Sequence, residues 1–166
     1  MFVLGIDPGL SRCGYCVLDG ARGRAPRPRA LGVLTTPTDL DVPRRLAMLR
    51  DDVVELLDEF AVEVVALERV LFQANVRTAM SVGQASGVVM AEAASRGCEV
   101  VEYSPNEVKQ TVAGDGAADK AQVQEMVRRL LSLDGPPRPA DAADAAAVAL
   151  CHLAHAPMLL AGRAVS

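Results

Sequence analysis

The sequence predicts an α/β fold in which a five-stranded mixed sheet is flanked by helices on both faces. Three short β-like segments near the start are joined by hairpin-length connections, which favours antiparallel pairing of the first three strands. The later segments alternate between strand and helix, which favours parallel neighbours. The chain has 166 residues, of which 51% are hydrophobic and 23% are charged. Such a chain is long enough and apolar enough to bury the core of one domain.

Five segments have the composition of strands. The first is an apolar run that stops at Asp7, before the turn dipeptide Pro8-Gly9. The fourth is apolar throughout and is closed by Glu68, as in a strand buried on both faces. The basic segment Ala21–Arg29 is expected to be the loop of a hairpin. In chain order, the strands are placed at Phe2–Asp7, Gly14–Leu18, Ala30–Thr36, Val64–Leu67 and Cys98–Tyr103.

Five helices follow from apolar spacing, capping residues and breakers. Ser104 is an N-cap, followed by a proline and by Glu107, which completes a capping box. Gly83 and Gly87 lie four residues apart and give the second helix a smooth stripe that another backbone could approach closely. The helices are placed over Pro43–Phe60, over Val76–Arg96, from Pro105 onward, over Asp119–Leu131 and over Ala140–Ala154.

Charge and cysteine content limit the classes of protein to which the chain can belong. The formal net charge of −4 argues against a nonspecific polycation but is compatible with a local nucleic-acid-binding surface. The four cysteines indicate buried small side chains in a reducing compartment, and Cys13 and Cys16 should lie on opposite faces of their strand. No signal peptide or membrane span is recognisable. We therefore expect a soluble, cytoplasmic protein.

Four carboxylates are the strongest candidates for a functional site. Asp7 and Glu68 each end a strand, and if those strands are parallel neighbours both side chains emerge at the same edge of the sheet. Asp141 and Asp144 lie three residues apart, on one face of the last helix. Asp141 also fits a purely structural role as a first-turn acid favoured by the helix dipole. That alternative is weaker for Asp144, which is surrounded by alanines.

Several carboxylates in one cleft repel one another unless a positive charge lies between them. Oxygen ligands suit Mg²⁺ or Mn²⁺ better than Zn²⁺, and no Cys/His set with zinc spacing competes. Two such ions about 4 Å apart would activate a water molecule and stabilise the leaving oxygen of a phosphodiester. The acids therefore predict metal-dependent phosphodiester hydrolysis.

The chain resembles the RuvC family of Holliday junction resolvases in an ordered set of motifs that extends from Met1 to about Pro157. These motifs are Leu4–Gly9, Ala66–Val70, Asn75 with Val82–Ala85, Val108–Val112 with Gly114 and Gly116, Ala118–Val123, and Ala140–Ala145. On this resemblance the four family acids map onto Asp7, Glu68, Asp141 and Asp144, as catalytic residues and metal ligands.

The resemblance implies one RNase H-like nuclease domain over residues 1–166. It also implies a homodimer that makes two symmetric, metal-dependent nicks in a four-way DNA junction during recombination and repair. Two Mg²⁺ ions per active site are expected, with Mn²⁺ as an alternative. The branch-migration proteins RuvA and RuvB are the expected protein partners.

Lys109 and Lys120 are the only lysines in a chain with fifteen arginines. On sequence alone, chance retention explains two lysines as well as a functional need does. The resemblance implies that both act near the scissile phosphate, where an ammonium group would neutralise developing charge or contact the DNA backbone.

Further DNA contacts are expected in the segment after Glu68. The family places an aromatic residue, which stacks on an unpaired base, where this chain has Leu71. Leu71 has no π face, so Phe72 either replaces the aromatic or packs in the core. The predicted DNA contacts are Arg69, Leu71, Phe72, Asn75, Arg77, Lys109 and Lys120. The arginines of the basic loop, Arg22, Arg24, Arg27 and Arg29, are either solvated or bind phosphates.

Other functions stay open on the sequence. Asp7-x-Gly9 also begins the phosphate-binding hairpin of actin-like ATPases, but those proteins need a second lobe. A catalytically silent RNase H-like protein that only binds nucleic acid is a second alternative, and an RNase H-like nuclease that acts on RNA is a third. His152 and His155 are interpreted as structural.

Overall fold

The computed structural model describes residues 1–20, 24–69 and 76–163, with side chains except at 76–78 and 157–163. Its single five-stranded sheet has the order β3-β2-β1-β4-β5. The strands are β1 (Phe2–Asp7), β2 (Arg12–Asp19), β3 (Arg27–Thr35), β4 (Val64–Glu68) and β5 (Glu99–Tyr103). The helices are α1 (Val42–Phe60), α2 (Val76–Ser95), α3 (Pro105–Ala113), α4 (Lys120–Leu130) and α5 (Ala140–Arg163).

The pairing of the strands confirms the predicted mixed sheet. β1 pairs with β2, and β2 with β3, in antiparallel orientation, as short connections require. β4 pairs in parallel with β1 on one side and with β5 on the other, because helices α1 and α2 return the chain between these strands. β1 and β4, which carry Asp7 and Glu68, are therefore parallel neighbours.

Helices cover both faces of the sheet and create two hydrophobic layers. One layer, which includes Cys16 and Val148, lies between the sheet and α3, α4 and α5. The other, which includes Cys13, Leu49 and Val89, lies between the sheet and α1 and α2. The prediction that Cys13 and Cys16 lie on opposite faces is thus confirmed, and both cysteines are free and buried.

Two glycines let α5 lie directly on the sheet. A Cβ atom on Gly5 would overlap the carbonyl oxygen of Ala145, and a Cβ atom on Gly14 would overlap that of Asp141. The alanines of α5 between Ala142 and Ala149 are all buried. Small residues on both sides therefore place the start of α5 against β1 and β2, close to the end of β1.

The sequence-based boundaries that differ most from the structure are the start of β3 and the end of α5. β3 begins at Arg27, because Arg27 pairs with Asp19 across an irregularity between Val17 and Leu18. Pro28 is accepted there since β3 is an edge strand. α5 runs to Arg163 and passes Pro157, where the sequence predicted an end near Ala154. A proline removes one helical hydrogen bond but does not force the helix to end.

Within the described ranges, no helix combines the length and the hydropathy needed to cross a membrane.

Candidate active site

Asp7 and Glu68 emerge side by side at one edge of the sheet. The last residue pair of β1 and β4 is Ile6 with Leu67, and each chain continues directly into one of the acids. β5 ends at the same edge, where Tyr103 pairs with Glu68. Both carboxylates are half-buried. The parallel pairing of β1 with β4 thus produces the convergence that the sequence predicted.

Asp141 and Asp144 approach the same edge from above the sheet. The backbone of Asp141 lies on Gly14, and Gly14 is the cross-strand partner of Asp7. Asp144 follows three residues later on α5 and is half-buried as well. The close seating of α5 on the sheet therefore brings both helical acids toward the end of β1.

The four acids are close enough to interact electrostatically, because the charges of the other three all act on Asp7. Burial raises the pKa of Asp7 to about 7, and the charges of Glu68, Asp144 and Asp141 add to this rise, while Lys120 opposes it. Burial, followed by the charge of Asp144, also raises the pKa of Glu68. A raised carboxylate pKa means that the negative charge is poorly compensated. The edge of the sheet therefore carries more negative charge than its own basic residues neutralise.

Lys109 and Lys120 both interact electrostatically with members of this group of four acids. Lys120 begins α4 directly after the N-cap Asp119, and its Nζ donates a hydrogen bond of 2.6 Å to Oδ2 of Asp144. This bond raises the pKa of Lys120. Lys109 is half-buried on α3, and its charge lowers the pKa of Glu68. Lys120 thus holds Asp144 directly, whereas Lys109 acts on Glu68 through its charge.

Arg12, to which the sequence analysis gave no role, is part of the same cluster. Its Nε and Nη2 donate to Oδ2 of Asp141 at 3.0 and 2.7 Å. Arg12 begins β2, directly after the turn that follows Asp7. The predicted hairpin after Asp7 could have pointed to Arg12, because a tight turn after a site residue returns the start of the next strand to the same edge of the sheet.

The donor set fits a hard divalent cation in its chemistry, since it consists of four carboxylates, two of which, Asp7 and Glu68, have raised pKa values. In the part of the chain that the structure describes, no three His, Cys, Asp or Glu side chains are close enough to hold one ion as they stand. Asp141 and Asp144 instead accept hydrogen bonds from Arg12 and Lys120. The role of the four acids as metal ligands therefore stays a prediction.

The segment predicted to contact DNA is only partly described. Leu71, Phe72 and Asn75 lie outside the described residues, and Arg77 begins α2 with a side chain that is not described. Arg69 is exposed at the end of β4, and its backbone N–H donates to the carbonyl of Tyr103 at 2.7 Å.

The basic loop is a strand over part of its length. Arg24 is exposed before β3, while Arg27 and Arg29 are exposed on this edge strand; Arg22 lies outside the described residues. Their contact with phosphates stays a prediction.

The two histidines have partners within the fold, in agreement with the structural interpretation. The buried His152 shares a 3.0 Å hydrogen bond between its Nδ1 and the hydroxyl of Tyr103. His155 donates from Nδ1 to the carbonyl of Cys151 at 2.8 Å. Burial lowers the pKa of His152, so its neutral form is favoured. The bond of His152 joins α5 to β5, whereas the bond of His155 lies within α5.

Comparisons with known proteins agree with this geometry. Residues 3–152 match the family model described as crossover junction endodeoxyribonuclease RuvC. The chain is 53% identical to the enzyme of that name from Streptomyces avermitilis, over 95% of this chain and 89% of the relative. It is also 53% identical to the enzyme of that name from Rhodococcus opacus, over 96% of this chain and 84% of the relative.

Solved structures give the same result. Thermus thermophilus RuvC is 38% identical with a TM-score of 0.87, over 95% of this chain and 96% of that one. The same protein in complex with a Holliday junction substrate is 37% identical, with a TM-score of 0.90 over the same shares. A yeast mitochondrial Holliday junction resolvase, 19% identical with a TM-score of 0.70, covers 98% of this chain and 82% of that one, and shares the fold. The predicted RNase H-like fold is confirmed, and the chain belongs to the RuvC family of crossover junction endodeoxyribonucleases.

Proposed function

We propose that this endonuclease resolves four-way DNA junctions by two symmetric, metal-dependent cuts, as one nuclease domain over residues 1–166. The observation that carries the proposal is the convergence of Asp7 and Glu68 at one sheet edge, with Asp141 and Asp144 in the same electrostatic field. Family membership supports the reaction class. The T. thermophilus relative, solved in complex with a Holliday junction substrate, supports the choice of DNA.

The four acids are assigned as ligands of divalent cations. When bound, Mg²⁺ would supply the positive charge that activates water and stabilises the leaving oxygen. The raised pKa of Asp7, about 7, supports this assignment, because a nearby dication would offset both the burial and the repulsion that raise it. Two Mg²⁺ ions per site are the expected complement, with Mn²⁺ as the alternative.

Lys109 and Lys120 are assigned to the DNA phosphate. Lys120 is largely exposed although it is paired with Asp144, so a ligand can reach its ammonium group. Once a cation occupies the acids, Lys120 is free to turn toward a phosphate oxygen and to balance the charge that develops there. Lys109 would contact the phosphate from α3. Arg69, Leu71, Phe72, Asn75 and Arg77 complete the proposed DNA contacts.

A homodimer is proposed because a four-way junction offers two equivalent strands related by a two-fold axis. The exposed face of α2 is the proposed interface. Among the residues that the structure describes, none outside the helix backbone lies within 4 Å of a Cβ atom built on Gly83 or Gly87, and Met80 is 60% exposed on the same face. Light scattering at micromolar concentration should give the mass of two chains; a monomer that cuts only one strand of the junction would contradict this interface.

The cellular assignments rest on the family resemblance. RuvA and RuvB are the proposed partners, and the cytoplasm is the proposed location. Co-purification of the tagged chain with either partner would support the assembly.

The decisive experiment is cleavage of a synthetic four-way junction with a mobile core, with both cuts mapped and Mg²⁺ compared with Mn²⁺. An RNA–DNA hybrid and a plain duplex are tested beside it. We expect paired symmetric cuts in the junction alone. Junction binding without cuts at any metal concentration would favour a silent DNA-binding protein, and preferential hybrid cleavage would favour an RNA-directed nuclease.

A further inference from the structure

The ion pair between Arg12 and Asp141 occupies a position that the proposed metal site needs. Both guanidinium donors, Nε at 3.0 Å and Nη2 at 2.7 Å, contact the same oxygen, Oδ2 of Asp141. The other helical acid, Asp144, is held by Lys120. In the described residues no three acids are close enough to hold an ion. The two basic side chains thus occupy two of the four proposed ligands.

The backbone around Arg12 is firmly held, whereas its side chain is half exposed and is held by Asp141. Arg45 donates from Nη2 to the hydroxyl of Ser11 at 2.6 Å and from Nε to the hydroxyl of Thr36 at 2.9 Å. The Thr36 hydroxyl in turn donates to the carbonyl of Leu10. The Arg12 side chain itself is 51% exposed, and the side chain of Asp141 is 30% exposed. Arg12 can therefore leave Asp141 by a side-chain rotation, without movement of the strand.

A guanidinium and a divalent cation cannot share this oxygen without strong repulsion. Arginine stays charged at every relevant pH, so the conflict cannot be removed by deprotonation. A planar guanidinium also binds phosphate oxygens as well as it binds carboxylates. The group displaced from Asp141 therefore has an alternative ligand in the DNA that the site must receive.

We propose that Arg12 competes with the divalent cation for Asp141, and that cation binding transfers the guanidinium to a DNA phosphate. This inference rests on the proposed function, in that it takes Asp141 to be a metal ligand. Arg12 is thus a positioning residue that couples the binding of the cation to the binding of the DNA. Without DNA, Arg12 weakens metal binding; with DNA present, the phosphate holds Arg12 and the cation binds more tightly. By linkage, the cation must tighten DNA binding by the same factor.

The first test measures Mn²⁺ binding to the full chain without DNA, by electron paramagnetic resonance of free Mn²⁺. Arg12→Gln should bind Mn²⁺ about two- to fivefold more tightly than the wild type, as expected for loss of an exposed competing ion pair. Arg12→Lys keeps the positive charge but loses the planar guanidinium group. Its Mn²⁺ affinity should therefore lie between those of the wild type and Arg12→Gln.

The matched control is Arg96→Gln, which removes one charge and breaks contacts with Asp58 and Glu92 near the amino end of β5. Its Mn²⁺ affinity should equal that of the wild type. Circular dichroism of each variant checks that the fold is retained.

The second test measures junction affinity with and without Ca²⁺, with intact DNA verified in the same samples. In the wild type the cation should tighten junction binding. It should also make the association constant for the junction fall more steeply with salt. The slope of its logarithm against the logarithm of the salt concentration should become more negative by about 0.9, as for one added phosphate contact. Arg12→Gln should lose this added slope.

The outcomes distinguish a failure of the proposed role of Arg12 from a failure of the proposed metal site. Unchanged or weaker Mn²⁺ binding by Arg12→Gln overturns the competition, even when Asp141→Asn weakens Mn²⁺ binding and so supports the metal site. A wild type without saturable Mn²⁺ binding overturns the metal site and the role of Arg12 together.

Discussion

Two clusters of charged residues differ in how their acids are compensated. Between α1 and α2, Glu92 accepts hydrogen bonds of 2.6 Å from both Arg50 and Arg96, and Arg96 also donates to Asp58 at 2.9 Å. These hydrogen bonds lower the pKa of Glu92 and of Asp58. At the carboxyl edge of the sheet, burial and neighbouring acids instead raise the pKa of Asp7 to about 7.

The difference indicates what each cluster is for. Acids that serve only structure are neutralised by arginines on the protein surface, where the gain in stability is small. The acids at the sheet edge are held together at a cost, because half-buried carboxylates repel one another. Such an arrangement is typical of functional sites, where a ligand supplies the missing charge. Four predictions test this contrast.

Asp7→Asn should lower junction cleavage by at least about a thousandfold, because it removes a proposed metal ligand at the centre of the site. Junction binding should persist, as measured by gel shift in the same buffer. Glu92→Gln is the matched change in the compensated cluster and should leave cleavage unaltered. Cleavage by Asp7→Asn at the parent rate would remove Asp7 from the mechanism.

Lys120→Gln should lower the cleavage rate about 100- to 1000-fold, the range expected when one stabilising donor is lost from the transition state. Single-turnover rates at saturating enzyme separate this effect from weaker DNA binding. Arg129→Gln, on the same helix but paired with Glu125, serves as the control. Equal rates for the two variants would assign Lys120 a structural role only.

The raised pKa of Asp7 predicts a stability that depends on pH in metal-free protein. The folded state binds this proton more tightly than the unfolded state, so the free energy of unfolding should fall as pH rises from about 4 to about 7. Asp7→Asn should therefore be more stable than the wild type by about 1–2 kcal/mol near pH 8. Below about pH 4 this difference should vanish.

Urea unfolding in EDTA measures this difference. Added Mg²⁺ should stabilise the wild type more than Asp7→Asn, because only the wild type retains the full ligand set. If the free energy of unfolding of the wild type rose between about pH 4 and about pH 7, the predicted effect of Asp7 on stability would be contradicted.

Glu92→Gln should have the smallest effect, a fall in melting temperature of at most about 4 °C at low salt. Because the pKa of Glu92 is lowered on folding, its contribution should be present above about pH 4.5 and be lost as pH falls further. Differential scanning calorimetry at two salt concentrations checks both points. A salt-independent loss would show that packing, rather than charge, explains the effect.

Several features followed from local sequence. The strand ends at Asp7 and Glu68 were recognisable because an apolar run stops at a charged residue. The capping box of Ser104 and Glu107 formed as predicted. The start of β3 at Arg27 was missed because its charged and proline residues are tolerated only at a sheet edge, which depends on strand order. Arg12 was missed because its acid partner lies 129 residues away.

The types of element, the ends of the strands that carry acids, and the set of candidate oxygen ligands follow from the amino-acid sequence alone. These depend on periodicity and on the chemistry of single side chains. The pairing of each basic residue with its acid, and the strength of the interaction between the acids, could be read only from the folded arrangement. Those properties depend on distance and burial, which arise when α5 packs on Gly5 and Gly14 and excludes water from the end of β1.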